Sequence, residues 1–204
     1  MTKTRVAVLI SGRGSNMTAL IEAAAAPDYP AQIVLVLSNE PNAAGLDRAQ
    51  LAGIATAVVD HRPFGDDREA FERALDDTLH AHRVDLVCLA GFMRLLTPWF
   101  VTRWSGRMLN IHPALLPQFK GLHTHRRALE AGVRRHGATV HFVVPEMDSG
   151  PIVLQDSVPV LQGDTEATLA ARVLEVEHRI YPQALRLVAE GRVTLAAATA
   201  ATRG

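Results

Sequence analysis

A chain of 204 residues that is 48% hydrophobic can bury a substantial core, and it reads as one domain over residues 1–195 followed by a disordered tail at 196–204. Lys+Arg and Asp+Glu are equal at 21 each with no long block of one sign, which removes any bulk electrostatic case for nucleic acid or an anionic membrane. The single cysteine, Cys88, excludes an internal disulfide and a thiolate metal cluster; no run approaches the ~20 apolar residues that span a bilayer, so the expected location is the cytoplasm.

In chain order, residues 6–10 form a continuous apolar run, too short for a secretory leader because Ser11-Gly12-Arg13-Gly14 interrupts it, and they read as a buried strand. A helix follows over 15–26, and the alternation repeats with a strand at 33–37, a helix at 43–51 and a strand at 55–59. Phe71, Leu75 and Leu79 recur at fourfold spacing between charges, which predicts an amphipathic helix over 67–82, and the strand at 84–89 places Cys88 as a small buried hydrophobe. After a loop and short helix come a strand at 108–111, an irregular Pro-, Gly- and His-rich stretch at 113–125, and a helix at 126–133. Strands at 139–144 and 152–160 have no helix between them, so they are expected to pair antiparallel at the far edge. A long helix at 164–190 is capped by Asp164 or Thr165, with Pro182 expected to kink it. The pattern predicts an α/β fold: an open, mainly parallel twisted sheet with helices on both faces and an antiparallel far edge.

Asn110 and His112 lie two apart at the end of an apolar run, so on a strand both side chains share a face, and Pro113 ends that strand. An amide donor beside an imidazole suits a carbonyl whose oxygen becomes negative during attack, and Asp148 in Met147-Asp148-Ser149-Gly150 supplies a carboxylate to stabilise the imidazolium. The turn Ser11-Gly12-Arg13-Gly14-Ser15-Asn16 can bring free amides at a helix start to a phosphate, although Met17 spoils a dinucleotide fingerprint and no Lys-Ser/Thr pair makes it a Walker loop. His112, His123, His125 and His141 lack the HExxH spacing and a cysteine partner, so no metal is expected, and His123 and His125 are assigned to organising the loop. Arg68 and the run Gly91-Phe92-Met93-Arg94-Leu95-Leu96 suit a ligand with a flat ring and carboxylates, while the bland alternative for Arg68 is a solvated helix residue.

Ile10 to Asn16, Leu89-Ala90-Gly91-Phe92-Met93-Arg94, Asn110-Ile111-His112-Pro113 with Leu115-Leu116-Pro117, Gly121-Leu122-His123-Thr124-His125 and the stretch 137–150 together resemble the phosphoribosylglycinamide formyltransferases, a folate-dependent family of purine biosynthesis. The resemblance runs from Val6 to about Gly191 and implies a Rossmann-like fold, with the ribonucleotide in the N-terminal half and the folate and the chemistry in the C-terminal half. It implies that the amine of glycinamide ribonucleotide attacks the formyl group of 10-formyltetrahydrofolate, with no covalent enzyme intermediate and no metal. Gly14, Ser15 and Asn16 would hold the substrate phosphate, and Glu177 would contact the ribonucleotide. Arg68, Met93, Arg94, Leu95 and Leu96 would hold the folate, Asn110 the formyl oxygen; His112 would donate the proton and Asp148 keep it charged and aligned. Partners are therefore two small molecules, with no nucleic acid or membrane, acting on a monomer or weak homodimer. The sequence departs from the family at Ala114, where Ser is usual, at Pro145, where an acidic residue is common, and at Ser149, which replaces a frequent Gly. The competing readings are a formyltetrahydrofolate hydrolase, with water in place of the amine, and a nucleotide-binding protein without chemistry.

Overall fold

Seven strands form one sheet in the order β3-β2-β1-β4-β5-β6-β7 in the computed structural model, which describes residues 2–202. They are β1 (Thr4–Ile10), β2 (Ala31–Ser38), β3 (Thr56–Val58), β4 (Leu86–Leu89), β5 (Met108–His112), β6 (Arg135–Phe142) and β7 (Ile152–Pro159). The helices are α1 (Ser15–Ala24), α2 (Ala44–Leu51), α3 (Arg68–Ala81), α4 (Pro98–Arg103), α5 (Thr124–Glu130), α6 (Glu166–Ala189) and α7 (Leu195–Thr202). The first five strands run parallel, while β6 pairs antiparallel with both β5 and β7, as the missing helix between the last two strands predicts.

The period-2 alternation of β1 divides the core. Val6, Val8 and Ile10 point to a layer that includes Leu20 of α1 and Leu169, Val173 and Ile180 of α6, whereas Ala7 and Leu9 point to Phe71, Leu75 and Leu79 of α3 and to Phe100 and Trp104. All four residues of β4 are buried, including Cys88, because the sheet is covered on both faces there. Thr165 caps α6 in a reciprocal box with Thr168, and the helix continues through Pro182, whose carbonyl accepts a 2.6 Å hydrogen bond from Tyr29 Oη.

Three expectations change. Helix α5 begins at Thr124, ahead of the expected 126, after a left-handed His123 (φ 57°). Strand β6 begins at Arg135, four residues before the expected edge, because Gly137 lets β7 approach: a Cβ there would lie 2.1 Å from the Asp156 carbonyl oxygen. The stretch expected as a disordered tail instead forms α7, with Ala198 buried against the main core, since an unbroken Ala-rich run is a strong helix former; Arg203 and Gly204 lie outside the described residues. Among the described residues no helix is long and apolar enough to cross a membrane.

Candidate active site

The chain leaves β1 toward β2 and β3 on one side and resumes at β4 on the other, so the strand order reverses between β1 and β4. Ligands of open α/β sheets sit outside the carboxyl ends of strands at such a switch. Three irregular segments emerge there: the Gly-rich turn after β1, the 91–97 loop after β4 and the 113–123 loop after β5. The last two border a cavity of about 790 Å3 that Asn110, His112, His141 and Asp148 also line.

Asn110 and His112 reach this cavity from the end of β5, and the antiparallel register sets His141 of β6 directly opposite Asn110. His112 is buried, and its Nε2 donates to the Phe119 carbonyl at 3.0 Å. Its Nδ1 lies 3.5 Å from Asp148 Oδ2, at ion-pair range. Asp148 has a left-handed backbone (φ 49°), a conformation that costs a non-glycine residue about 1–2 kcal/mol. The Gly121 amide, donating to Asp148 Oδ2 at 2.8 Å, helps hold it there.

Sequence spacing alone does not place His141 in this group. Its Nδ1 faces the Phe142 carbonyl at 2.8 Å and must carry the proton, so its bare Nε2 accepts from Asn110 Nδ2 at 3.2 Å. Burial pushes the His141 pKa down, against the opposing pulls of the Phe142 carbonyl and Asp148, which favours the neutral ring. One amide hydrogen of Asn110 is thereby fixed, and the other remains for a ligand oxygen. A positioned N–H, an imidazole nitrogen beside a carboxylate and a sheltered cavity can polarise a carbonyl and move a proton.

The Gly-rich turn follows β1, with β4 between it and β5. Gly14 is left-handed (φ 70°) at the start of α1, and no side chain caps that helix, so its first amides are open to an anion. Gly45 lets α2 pack under the turn, its amide donating to Gly12 O at 3.0 Å; a Cβ there would lie 2.4 Å from Ile10 Cδ1. Asn16 Nδ2 donates to Glu177 Oε2 at 2.6 Å, joining the turn to α6, and Asn16 Oδ1 is buried without a partner. Burial raises the Glu177 pKa, and the Asn16 bond opposes that rise. The structure therefore brings Gly14, Ser15, Asn16 and Glu177 into one neighbourhood at the switch point, beside the cavity rather than inside it.

Met93, Arg94, Leu95 and Leu96 line the cavity, with Met93 and Leu95 two-thirds exposed. Arg68 does not line it: the guanidinium donates through Nη2 to the Leu95 carbonyl at 2.6 Å and so acts on the loop from outside. Ser11 ties the two ligand segments together, its hydroxyl donating to Asn39 Oδ1 and accepting from the Met93 amide at 2.8 Å. Ala114 is buried, with its carbonyl accepting from Thr139 Oγ1, Ser149 Oγ accepts from Lys120 Nζ, and Pro145 lines the cavity. His123 and His125 sit at the start of α5, and His125 stacks edge-on against His136 at 5.2 Å. Among the described residues no group of three or more His, Cys, Asp or Glu side chains is arranged to hold a metal ion.

The family model described as formyl transferase matches residues 4–185. The chain is 48% identical over 190 residues to the phosphoribosylglycinamide formyltransferase of Escherichia coli, covering 93% of this chain and 89% of that protein. It is 54% identical over 193 residues to the human trifunctional purine biosynthetic protein adenosine-3, which covers 95% of this chain; the chain spans only 19% of that protein's length. Among solved structures it resembles the phosphoribosylglycinamide formyltransferase of Brucella melitensis, with a TM-score of 0.88, 54% identity and coverage of 92% of this chain and 96% of that one.

Proposed function

The chain belongs to the formyl transferase family, and from that premise we propose that it transfers the formyl group of 10-formyltetrahydrofolate to the amine of glycinamide ribonucleotide, a step of purine biosynthesis. The observation that carries this reading is the convergence of Asn110, the His112 imidazole and the Asp148 carboxylate on one cavity, with the Gly14 turn across β4 from them. The Gly14, Ser15 and Asn16 amides and Glu177 hold the ribonucleotide, and the wall of Met93, Arg94, Leu95 and Leu96, shaped by Arg68, holds the folate. A cavity of about 790 Å3 falls in the roughly 300–1,000 Å3 range of small-molecule sites.

In the proposed reaction the substrate amine forms a bond to the formyl carbon, and negative charge moves to the formyl oxygen. The free N–H of Asn110 and the protonated His112 stabilise that oxygen, while Asp148 holds the imidazolium beside it. Collapse breaks the bond from carbon to folate N10, and the proton lost by the amine ends on N10, leaving formylated ribonucleotide and tetrahydrofolate. The reading uses two small-molecule substrates, a cytoplasmic setting and no metal-dependent step.

The test is cofactor turnover by the purified protein with the ribonucleotide, without it, and in the His112→Ala variant. The expected result is acceptor-dependent turnover that falls by about a hundredfold or more when the proton donor is removed. Turnover without acceptor would replace the transferase with a hydrolase. Absence of turnover would leave a binding protein, and a variant within a few fold of wild type would remove His112 from the mechanism.

A further inference from the structure

We infer that Glu72, on the far side of the 91–97 loop from the cavity, is a positioning residue that sets the folate-side wall; this rests on the function proposed above. The loop has little apolar reason to keep one shape. Of its large side chains Met93 and Leu95 are two-thirds exposed, while Phe92 and Leu96 only partly pack against the α3 layer. A segment with so few buried contacts takes its geometry from polar ties.

Those ties come from one face of α3. Arg68, Glu72 and Asp76 recur at intervals of four, so they lie one above another along the helix. Arg68 donates to the Leu95 carbonyl at 2.6 Å. One turn on, the Glu72 carboxylate accepts from the Thr97 amide at 2.6 Å and, through its other oxygen, from the Thr97 hydroxyl. A further turn on, Asp76 accepts from Trp104 Nε1 at 2.9 Å and Arg103 Nε at 3.2 Å. The stripe therefore fixes the chain on both sides of Leu96 and again at the end of α4.

Glu72 is 1% exposed, and no Lys, Arg or His pairs with it among the described residues. Both hydrogen bonds go to the same residue, the N-cap of α4, which is the last point of the loop before regular structure resumes. A carboxylate is buried at that place only because both oxygens find donors there, and that requirement fixes where Thr97 can be. Removing it frees the loop's C-terminal end while the other ties, Arg68 to Leu95 and Ser11 to Met93, remain. The catalytic group on β5 and β6 is untouched, so the expected signature is weaker folate binding with unaltered chemistry.

The experiment is steady-state kinetics of the full chain varying 10-formyltetrahydrofolate and the ribonucleotide separately, in wild type, Glu72→Ala, Glu72→Gln and Asp76→Asn, with a thermal melt of each. Glu72→Ala should raise KM for the folate by about tenfold, with kcat and the ribonucleotide KM within about twofold of wild type. Glu72→Gln should recover most of that loss, because its carbonyl accepts from the amide and its NH2 group can donate to the Thr97 hydroxyl. Asp76→Asn, equally structural but ending on α4, should lower the melting temperature and leave the folate KM unchanged. If Glu72→Ala does not fold, Thr97→Val, which deletes one of the two bonds, should raise the folate KM by a smaller factor. An unchanged folate KM in a folded Glu72 or Thr97 variant overturns the inference, as does an equal rise in Asp76→Asn. Absence of formyl turnover in wild type overturns the functional reading itself and is seen before any variant is compared.

Discussion

Replacing Gly150 with alanine tests whether the shape of the turn after Asp148 is a condition of activity. A Cβ built on Gly150 would lie 1.7 Å from the Phe142 carbonyl oxygen, 2.8 Å from its carbon and 3.3 Å from His141 Nδ1. These are mainly backbone atoms, so no side-chain rotation relieves the collision, and the two segments must separate by on the order of 1 Å to restore ordinary contact. The atom struck is the acceptor that fixes the tautomer of His141, and the segment displaced carries Asp148 two residues earlier. Overpacking of this kind costs about 1–3 kcal/mol of stability. A misplacement of about 1 Å in a catalytic group can cost roughly a hundredfold in rate. Gly150→Ala should therefore remain folded with a urea midpoint lowered by the equivalent of about 2 kcal/mol. In the formyl-transfer assay its kcat should fall between about tenfold and a hundredfold, with much smaller changes in KM. A variant with kcat within twofold of wild type and an unmoved midpoint would refute the argument that this close approach positions the carboxylate.

His136 is buried, and burial, helped by the neighbouring His125 and opposed by the Pro113 backbone, pushes its pKa down to about 4. Because that value lies below the unfolded one, near 6.5, the stability it permits is present above about pH 6.5 and is lost as pH falls toward about 4. In His136→Phe the difference in unfolding free energy between pH 7.5 and pH 5 should shrink by about 2 kcal/mol in urea melts, and an unchanged difference would show that this group is not the titrating one. Ser11→Ala deletes the hydroxyl that joins the Gly-rich turn to the Met93 amide, and it should raise KM for both substrates several-fold; a rise confined to one would mean that the bond does not couple the two segments. Burial pushes the Cys88 thiol up to about 12, so a thiol reagent near neutral pH should modify it only at the rate of unfolding, and rapid labelling of native protein would contradict its burial in β4.

Much of this architecture is legible in the sequence because each half of it leaves a periodic trace. The alternation of short apolar runs with amphipathic stretches gives the parallel half, and the absence of a helix between 142 and 152 gives the antiparallel edge. Asn110 and His112 are legible together because spacing of two on a strand fixes a common face. His141 as the partner of Asn110 is not, since that relation depends on the register of β5 against β6, and register is set by packing along both strands. Glu72 escapes for a different reason. A Glu between Phe71 and Arg73 on an amphipathic helix looks like a solvated residue until the fold lays Thr97 over it. The early start of β6 also depends on a neighbour: Gly137 in isolation resembles a break, and only the proximity of β7 makes it an allowance for close approach. The Ala-rich end of the chain is not legible, because composition without polar periodicity does not reveal that Ala198 finds a place against the core.

Two imidazoles face one carboxylate in this site, and their surroundings assign them different work. Asp148 lies 3.5 Å from His112 Nδ1 and 3.8 Å from His141 Nε2. Two adjacent imidazolium ions would repel each other, which disfavours an extra proton on His141. His141 is disqualified by burial and by its Nδ1–H bond to Phe142 O, which leaves Nε2 as the acceptor that orients Asn110. His112 instead has Nε2 donating to the Phe119 carbonyl and Nδ1 3.5 Å from Asp148, so its imidazole stands beside the carboxylate. In the proposed reaction the two neighbours divide the stabilisation of one oxygen: an amide dipole fixed by His141 on one side, and a proton delivered by His112 beside Asp148 on the other. Exchanging those roles by substitution should fail, because a proton placed on His141 Nε2 would meet the Asn110 donor head-on and turn the amide away from the cavity.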